Sequence, residues 1–295
     1  MKRHRFKQVD VFTAKPFYGN PVAVVLDAQT LSSDDMQRIA RWTNLSETTF
    51  LLRPTQPPAD YRLRIFTPAS ELPFAGHPSV GSAHAALEAG VVQAKRHLVQ
   101  ECGAGLLPLE VEGTGALRRI FVTAPQASSR SLAAEQLPAL CAALGAKPRV
   151  GTSPKAFQVG PTWLVVELSD AHAVAQLTPN LAQLAAFSHA EALTGVTVFG
   201  RFSAGSNALN SPAINVRSFA PGEGIAEDPV CGSGNAAVGY FIAASADHAG
   251  LLPSYTASQG REIGRDGQVS VRIRGDRVQI GGHALTCIDG ALTTA

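Results

Sequence analysis

The chain has 295 residues, 45% of them apolar and 16% charged, with a formal net charge of +2. This composition describes a core-rich globular protein of one large or two modest domains and excludes a disordered chain. The near-neutral balance gives no support for a nucleic-acid or acidic-membrane partner. The basic start MKRHRFK lacks the apolar run of a signal peptide, and the longest helical-looking apolar stretch, NAAVGYFIAASA, is too short to span a bilayer. The reading is a soluble, cytoplasmic protein. Cys102, Cys141, Cys231 and Cys287 form no CxxC pair and show no zinc-ligand spacing with histidines. Neither a disulfide framework nor a structural metal is expected.

Along the chain, QVDVFTA and NPVAVVL alternate as strands do. SSDDMQRIARW reads as a helix with Ser/Asp capping chemistry at its start and Asn44 at its end. TTFLL and YRLRIF are the next strands, and an Ala-rich helix follows Gly81 and Ser82. Beyond RRIFVTA, SLAAEQLPALCAAL reads as a helix closed by Gly145. WLVVEL, TVFGRF and INVRSF are strands, a second Ala-rich helix follows Gly232 and Ser233, and VSVRIR and VQIGG complete the set. Many short strands and few helices predict an α+β fold and not a βαβ array.

The segment RIFTPASELPFAGHPSVGSAHAAL, from Arg64, is echoed by VRSFAPGEGIAEDPVCGSGNAAVG, from Val216. Each has a strand ending in Phe-x-Pro, a loop, an HP or DP pair, a Gly-Ser pair and a small-residue helix. On this alignment Phe66 matches Phe219, His77 matches Asp228, and Val80 matches Cys231. Further on, HLVQECGAG matches SYTASQGRE. The repeat predicts two pseudo-symmetric halves, each a curled sheet around a central helix of small residues. We divide the chain into a first half, 1–126, and a second, 127–284.

If a pseudo-twofold axis relates the halves, the two glycine-rich turns face each other. Each presents free N–H groups and the positive end of a helix dipole, which suits a carboxylate. Gly81 and Gly232 would let backbone approach a ligand, and Ser82 and Ser233 would add hydroxyl donors. Capping alone would also account for these residues. In NLSETTFLL, a strand reading puts Glu47 on one face with Leu45, Thr49 and Leu51. Burial there would raise its pKa toward the range of a general acid/base, whereas a Glu facing solvent at a strand start would do no chemistry. The second half aligns Pro161, in QVGPTWLVV, with Glu47, so the acid is not duplicated. GSGNAAVG departs from GxGxxG, which sets a dinucleotide site aside.

Taken in order, VDVFTAKPFYGNPVAVV, NLSETTF, RIFTPASELPFAGHPSVGSAHAAL and EDPVCGSGNAAVGYF resemble the PhzF-like phenazine-biosynthesis family, within the diaminopimelate-epimerase fold group. The resemblance covers nearly the whole chain. It implies two domains with a site in the cleft between them, and a last strand (about 285–295) returning to the first. It also implies a cofactor-free isomerase acting on a small, cyclic, carboxylated metabolite, often as a homodimer. By the same resemblance Glu47 is the proton-shuttling acid, and His77 and Asp228 are the paired polar groups that hold the substrate and tune Glu47. Ser46, Gly76, Gly232 and Ser233 match ligand-contacting positions. The best-known substrate of the family is dihydro-hydroxyanthranilate.

One departure is Cys231, where the phenazine enzyme usually carries Thr. CGSG instead resembles the turn of epimerases and proline racemases, in which a cysteine is a catalytic base. A thiol at a helix N-terminus is expected to have a depressed pKa. Two alternatives therefore stay open: an epimerase or racemase using Cys231, or a non-catalytic metabolite-binding module. The partner thiol of a two-cysteine mechanism is missing, since Val80 stands at the matching place. Phe74, Phe219 and Tyr240 are candidates for an apolar wall around a ring.

Overall fold

A computed structural model describes residues 1–203 and 211–294. The chain forms two compact units, one built from Met1–Thr123 and the chain from Gly281 onward, the other from Ala124–Ile280.

In the first unit β1 (Lys2–Val11) and β2 (Asn20–Val25) are antiparallel, and α1 (Ser33–Thr43) crosses over to β3 (Thr48–Leu52), which runs parallel to β2. Ser32 and Asp35 close a capping box at the start of α1, and Asn44, at φ 54°, ends it in the left-handed region. Antiparallel to β3 lies β4 (Tyr61–Phe66), with the short β5 (Glu71–Leu72) at its end. Then α2 (Gly76–Glu88) crosses to β6 (His97–Cys102), parallel to β4, and β7 (Gly105–Glu112) and β8 (Arg119–Thr123) follow antiparallel. β3 lies between two helices. Phe50 joins Val25, Met36, Ala40 and Phe66 in a core beneath α1, while Thr49 turns to α2.

The second unit repeats this path. β9 (Ser128–Ser131), α3 (Leu137–Leu144), β10 (Lys155–Gln158) and β11 (Thr162–Glu167) lead to α4 (Ala171–Ala175) and α5 (Leu181–Ala190). These cross to β12 (Gly195–Arg201), parallel to β11, with β13 (Ile214–Ala220) antiparallel to it and β14 (Ile225–Asp228) beyond. Finally α6 (Gly232–Ala243) crosses to β15 (Ser254–Gln259), parallel to β13, followed by β16 (Gly267–Arg274) and β17 (Arg277–Gly282). β18 (Ala284–Thr294) pairs with β1 of the first unit along its length. Ala295, the last residue of the expected returning strand, lies outside the described residues.

The fold is thus α+β, with curled sheets and few helices, and each unit wraps one helix. Every residue of α2 from Gly76 to Leu87 is buried, and α6 buries nine of its twelve. Helices so enclosed need small residues. A Cβ on Gly81 would lie 2.5 Å from Val22 Cγ1, and one on Gly239 2.7 Å from Val278 Cγ1. The HLVQEC and SYTASQ match is realised as β6 and β15.

Some expectations need correction. SLAAEQLPALCAAL is α-helical only from Leu137, with Pro138 in the first turn: its opening serine belongs to β9, and Ala134–Gln136 form a 3-10 turn between them. Sequence reading overlooked α4 and α5, although Asp170 and Asn180 cap them through the N–H groups of Ala173 and Gln183. The largest correction concerns the repeat. α2 begins at Gly76, not at Gly81, and α6 begins at Gly232. Counted from the helix starts, Gly76 corresponds to Gly232, His77 to Ser233, and Ala75 to Cys231. Asp228, opposite Ser218 on β13, then corresponds to Leu72, opposite Ile65 on β4. Likewise β3 corresponds to β12, since Thr48 faces Phe66 and Val196 faces Phe219. The counterpart of Glu47 is therefore Gly195, not Pro161.

Candidate active site

In the first unit Glu47 precedes β3 and His77 is the second residue of α2. Alternation along the strand points Glu47 and Thr49 at the same helix. Thr49 Oγ1 is 2.8 Å from Ser82 Oγ, and Glu47 Oε2 is 3.3 Å from His77 Nε2. The Glu47 side chain is 15% exposed and that of His77 6%. Burial raises the Glu47 carboxyl to about 7; a hydrogen bond from Ser46 opposes this and is the smaller effect. Of the two readings of Glu47, the inward-facing acid is the one the fold adopts.

A hydrogen-bonded chain fixes the first turn of α2. Tyr61 donates to Gln100 Oε1 (3.1 Å), Gln100 Nε2 to Ser79 Oγ (3.0 Å), and Ser79 Oγ to the Ala75 carbonyl (2.9 Å). These groups are buried, so each bond is retained. No sequence signal marks Gln100, which is simply a polar residue inside a strand.

The second unit has a comparable entrance with different chemistry. Asp228 ends β14, and its Oδ1 accepts the Val230 N–H at 3.0 Å. Cys231 is the N-cap of α6, its Sγ accepting the Gly234 N–H at 3.2 Å. Gln259 binds this turn three times. Its Oε1 accepts from Cys231 N (3.1 Å) and Asn235 Nδ2 (2.8 Å), and its Nε2 donates to the Asp228 carbonyl (3.1 Å). Ser233 Oγ accepts the Trp163 indole N–H at 2.9 Å.

The expected depressed pKa of Cys231 is not found. The residue is 3% exposed, and burial, then the charge of Asp228, push the thiol well above its ordinary value. Water loss outweighs the helix end, which contributes only ~0.3–1 kcal/mol. Gly81 and Ser82 lie inside α2. Gly81 faces Val11 and Val22, and Ser82 is wholly buried against Thr49, so neither opens a turn to a ligand as expected. The residues at the two helix starts are Gly76 with His77 and Gly232 with Ser233. Phe219 belongs to the core beneath α3 and α5, and the Tyr240 hydroxyl donates to the Pro125 carbonyl. Phe74 is half-buried just before α2. A cavity of about 370 Å³ in the second unit, lined in part by Asp170, Arg201, Asn215 and Arg261, includes none of the site residues. Among the described residues no helix is long and apolar enough to cross a membrane.

Burial thus leaves an acid raised toward neutrality beside a histidine at a helix entrance. The sequence model of the phenazine biosynthesis-like protein family, PhzC-PhzF, matches residues 9–290. A Schizosaccharomyces pombe protein named antisense-enhancing sequence 1 is 42% identical, over 98% of this chain and 99% of that one. The trans-2,3-dihydro-3-hydroxyanthranilate isomerase of Pseudomonas aeruginosa is 34% identical, over 97% and 98%. The crystal structure of a Bacillus anthracis phenazine biosynthesis protein of the PhzF family superposes with a TM-score of 0.86, at 25% identity and 100% coverage of both chains. The chain belongs to the phenazine biosynthesis-like PhzC-PhzF family, and it is an isomerase of the PhzF type.

Proposed function

We propose that the protein moves a proton between carbons of a small, cyclic, carboxylated metabolite of the trans-2,3-dihydro-3-hydroxyanthranilate kind, without a cofactor, with Glu47 as the general acid/base. The observation that carries the reading is the buried Glu47–His77 pair at 3.3 Å, with the Glu47 carboxyl raised to about 7. At neutral pH such a carboxyl is a base and an acid in comparable amounts. It takes a proton from one carbon while the bonding electrons shift along the ring, then returns the proton at another carbon. His77 Nε2–H would orient the Glu47 carboxylate. The first-turn N–H groups of α2, beginning at Gly76, would meet developing negative charge. Ser46, Gly232 and Ser233 stand in the proposal as substrate contacts, and Asp228 as the group that holds a polar substituent of the substrate.

Relatives named as this isomerase support the substrate class. The homodimer is also proposed, on family resemblance alone; light scattering at a monomer's mass would remove it. Nothing in the second unit favours Cys231 as a racemase base, because its thiol is buried and raised. The test is proton NMR in D₂O with trans-2,3-dihydro-3-hydroxyanthranilate and a panel of small cyclic acids. Deuterium should enter at carbon with the wild type and not with Glu47→Gln. Undiminished exchange in Glu47→Gln would end the acid/base assignment. Exchange confined to other panel members would replace the substrate class.

A further inference from the structure

We propose that Trp163 is a positioning residue for the second entrance: by giving its indole hydrogen to Ser233 Oγ it fixes the Ser233 hydroxyl as a hydrogen-bond donor, so that this serine selects an acceptor oxygen on the substrate. The inference rests on the proposed role of Ser233 as a substrate contact and adds the polarity of that contact.

An indole N–H can only donate. Trp163 Nε1 lies 2.9 Å from Ser233 Oγ, so the serine oxygen is the acceptor of this bond and keeps its own hydrogen to give. Among the described residues the acceptor in reach of that hydrogen is Cys231 Sγ at 3.6 Å. Sulfur is a weak acceptor, and this one already takes the Gly234 N–H at 3.2 Å. A carboxylate oxygen competes for the hydrogen with advantage, since a charge-assisted bond is roughly twice as strong as a neutral one.

Exposure points the same way. Of the residues from Val230 to Gly239, Ser233 alone is not buried. A ligand that reaches the start of α6 therefore meets Ser233. The indole behind it is held fast. Trp163 is 3% exposed and stands beside Gly195 in the parallel pairing of β11 with β12. Gly195 leaves the room it needs, since a Cβ there would lie 2.8 Å from Cζ3 of the indole. A buried N–H keeps its partner, so the bond holds Ser233 Oγ in one place.

The first unit has no such donor. Ala23 faces Thr48 between β2 and β3, and Leu164 faces Val196 between β11 and β12. With β3 matched to β12, Trp163 corresponds to Val22, which is wholly buried and has no hydrogen to donate. The strand position is filled without a polar group there, so the indole N–H is an addition specific to the entrance that carries Ser233.

Two experiments test this. The chain has two tryptophans, and Trp42 is 78% exposed. Proton–nitrogen NMR of the indole N–H groups therefore reports Trp163 separately, with Trp42→Phe identifying the other signal. Ser233→Ala should move the Trp163 signal upfield and leave that of Trp42 in place. A bound acid from the panel of small cyclic acids should move it downfield, because Ser233 Oγ accepts more strongly once its own hydrogen is engaged. A Trp163 signal unmoved by Ser233→Ala, or unmoved by every acid of the panel, overturns the proposal. The second experiment uses the D₂O exchange assay, with circular dichroism confirming the fold. Trp163→Phe keeps a ring in the slot and removes the hydrogen. Its KM should rise about tenfold, with a much smaller change in kcat, the effect of one lost hydrogen bond. In a Ser233→Ala background the same substitution should add less than about twofold, since the indole acts through that hydroxyl. Equal effects in the two backgrounds, or an unchanged KM in Trp163→Phe, would assign Trp163 to packing alone and overturn the proposal. If Trp163→Phe does not fold, the NMR comparison in Ser233→Ala decides. Turnover surviving in Glu47→Gln would instead sink the acid/base reading and leave the indole results standing.

Discussion

The two helix entrances share a backbone path and differ in chemistry. At α2, Glu47 reaches from the strand side to His77. At α6 the place of Glu47 is taken by Gly195, and the place of His77 by Ser233. A Cβ on Gly195 would lie 2.8 Å from Trp163 Cζ3 and 2.1 Å from the Phe219 carbonyl. The Trp163 indole fills the room that the acid uses in the first unit, and its N–H holds Ser233. One entrance thus carries a titratable pair, while the other carries an indole–serine bond with no proton to move at neutral pH. Asp228 and Cys231 are arranged around that second entrance by Gln259. The repeated path supplies the frame. The chemistry came from filling equivalent positions differently.

That contrast can be broken most forcefully at Glu47. Glu47→Gln should lower turnover by roughly 10²–10⁴-fold, the usual contribution of a positioned acid/base, as read by the D₂O exchange rate. A loss under tenfold would mean that the two entrances do not differ in the way described.

The same residue gives a pH signature in stability. The carboxyl is raised from 4.5 to about 7 on folding, so the protonated form is the one the fold favours. Its contribution is complete below 4.5, falls as pH rises through the interval, and is lost above about 7. The wild type should lose up to about 3 kcal/mol relative to Glu47→Gln across that window, seen as diverging Tm values. Parallel Tm profiles would refute the burial of the acid.

Gly195→Ala should cost about 2 kcal/mol or more, because the added methyl meets a strand carbonyl that cannot move aside. Urea denaturation reads this, and a neutral outcome would show that the indole does not fill the slot. Gln259→Leu and Gln100→Leu each strand buried partners and should cost about 1–3 kcal/mol. Only Gln259→Leu should also loosen the turn that carries Asp228, raising KM in the exchange assay. Equal KM effects would erase the distinction between the two clamps. The smallest effect is expected at Ser82, whose hydroxyl is spent on Thr49. Ser82→Ala should cost about 1 kcal/mol and leave KM unchanged. A raised KM would restore it as a substrate contact.

Much of this was written in the sequence. TTFLL and YRLRIF are strands over those very residues, and Ser32 with Asp35 and Asn44 bracket α1, because alternation and capping are local properties. Small residues at Ala83, Ala86, Ala236 and Gly239 announced helices wrapped closely by strands. Glu47, on one strand face with two leucines, was legible as a candidate inward acid, but a solvent-facing Glu fitted the string as well, and only its burial in the fold decides between them. The match of the two halves was real, but its alignment was misread. The HP and DP pairs look alike as strings, yet His77 stands in the first turn of α2 and Asp228 four residues ahead of α6. Only strand register, Thr48 against Phe66 and Val196 against Phe219, decides which residues are counterparts, and register is made by hydrogen bonds between segments far apart in the chain. The character of Cys231 was likewise beyond the sequence. A helix start is visible in a string and argues for a thiolate; the loss of water and the nearness of Asp228, which argue more strongly for a thiol, exist only once the chain has folded around it.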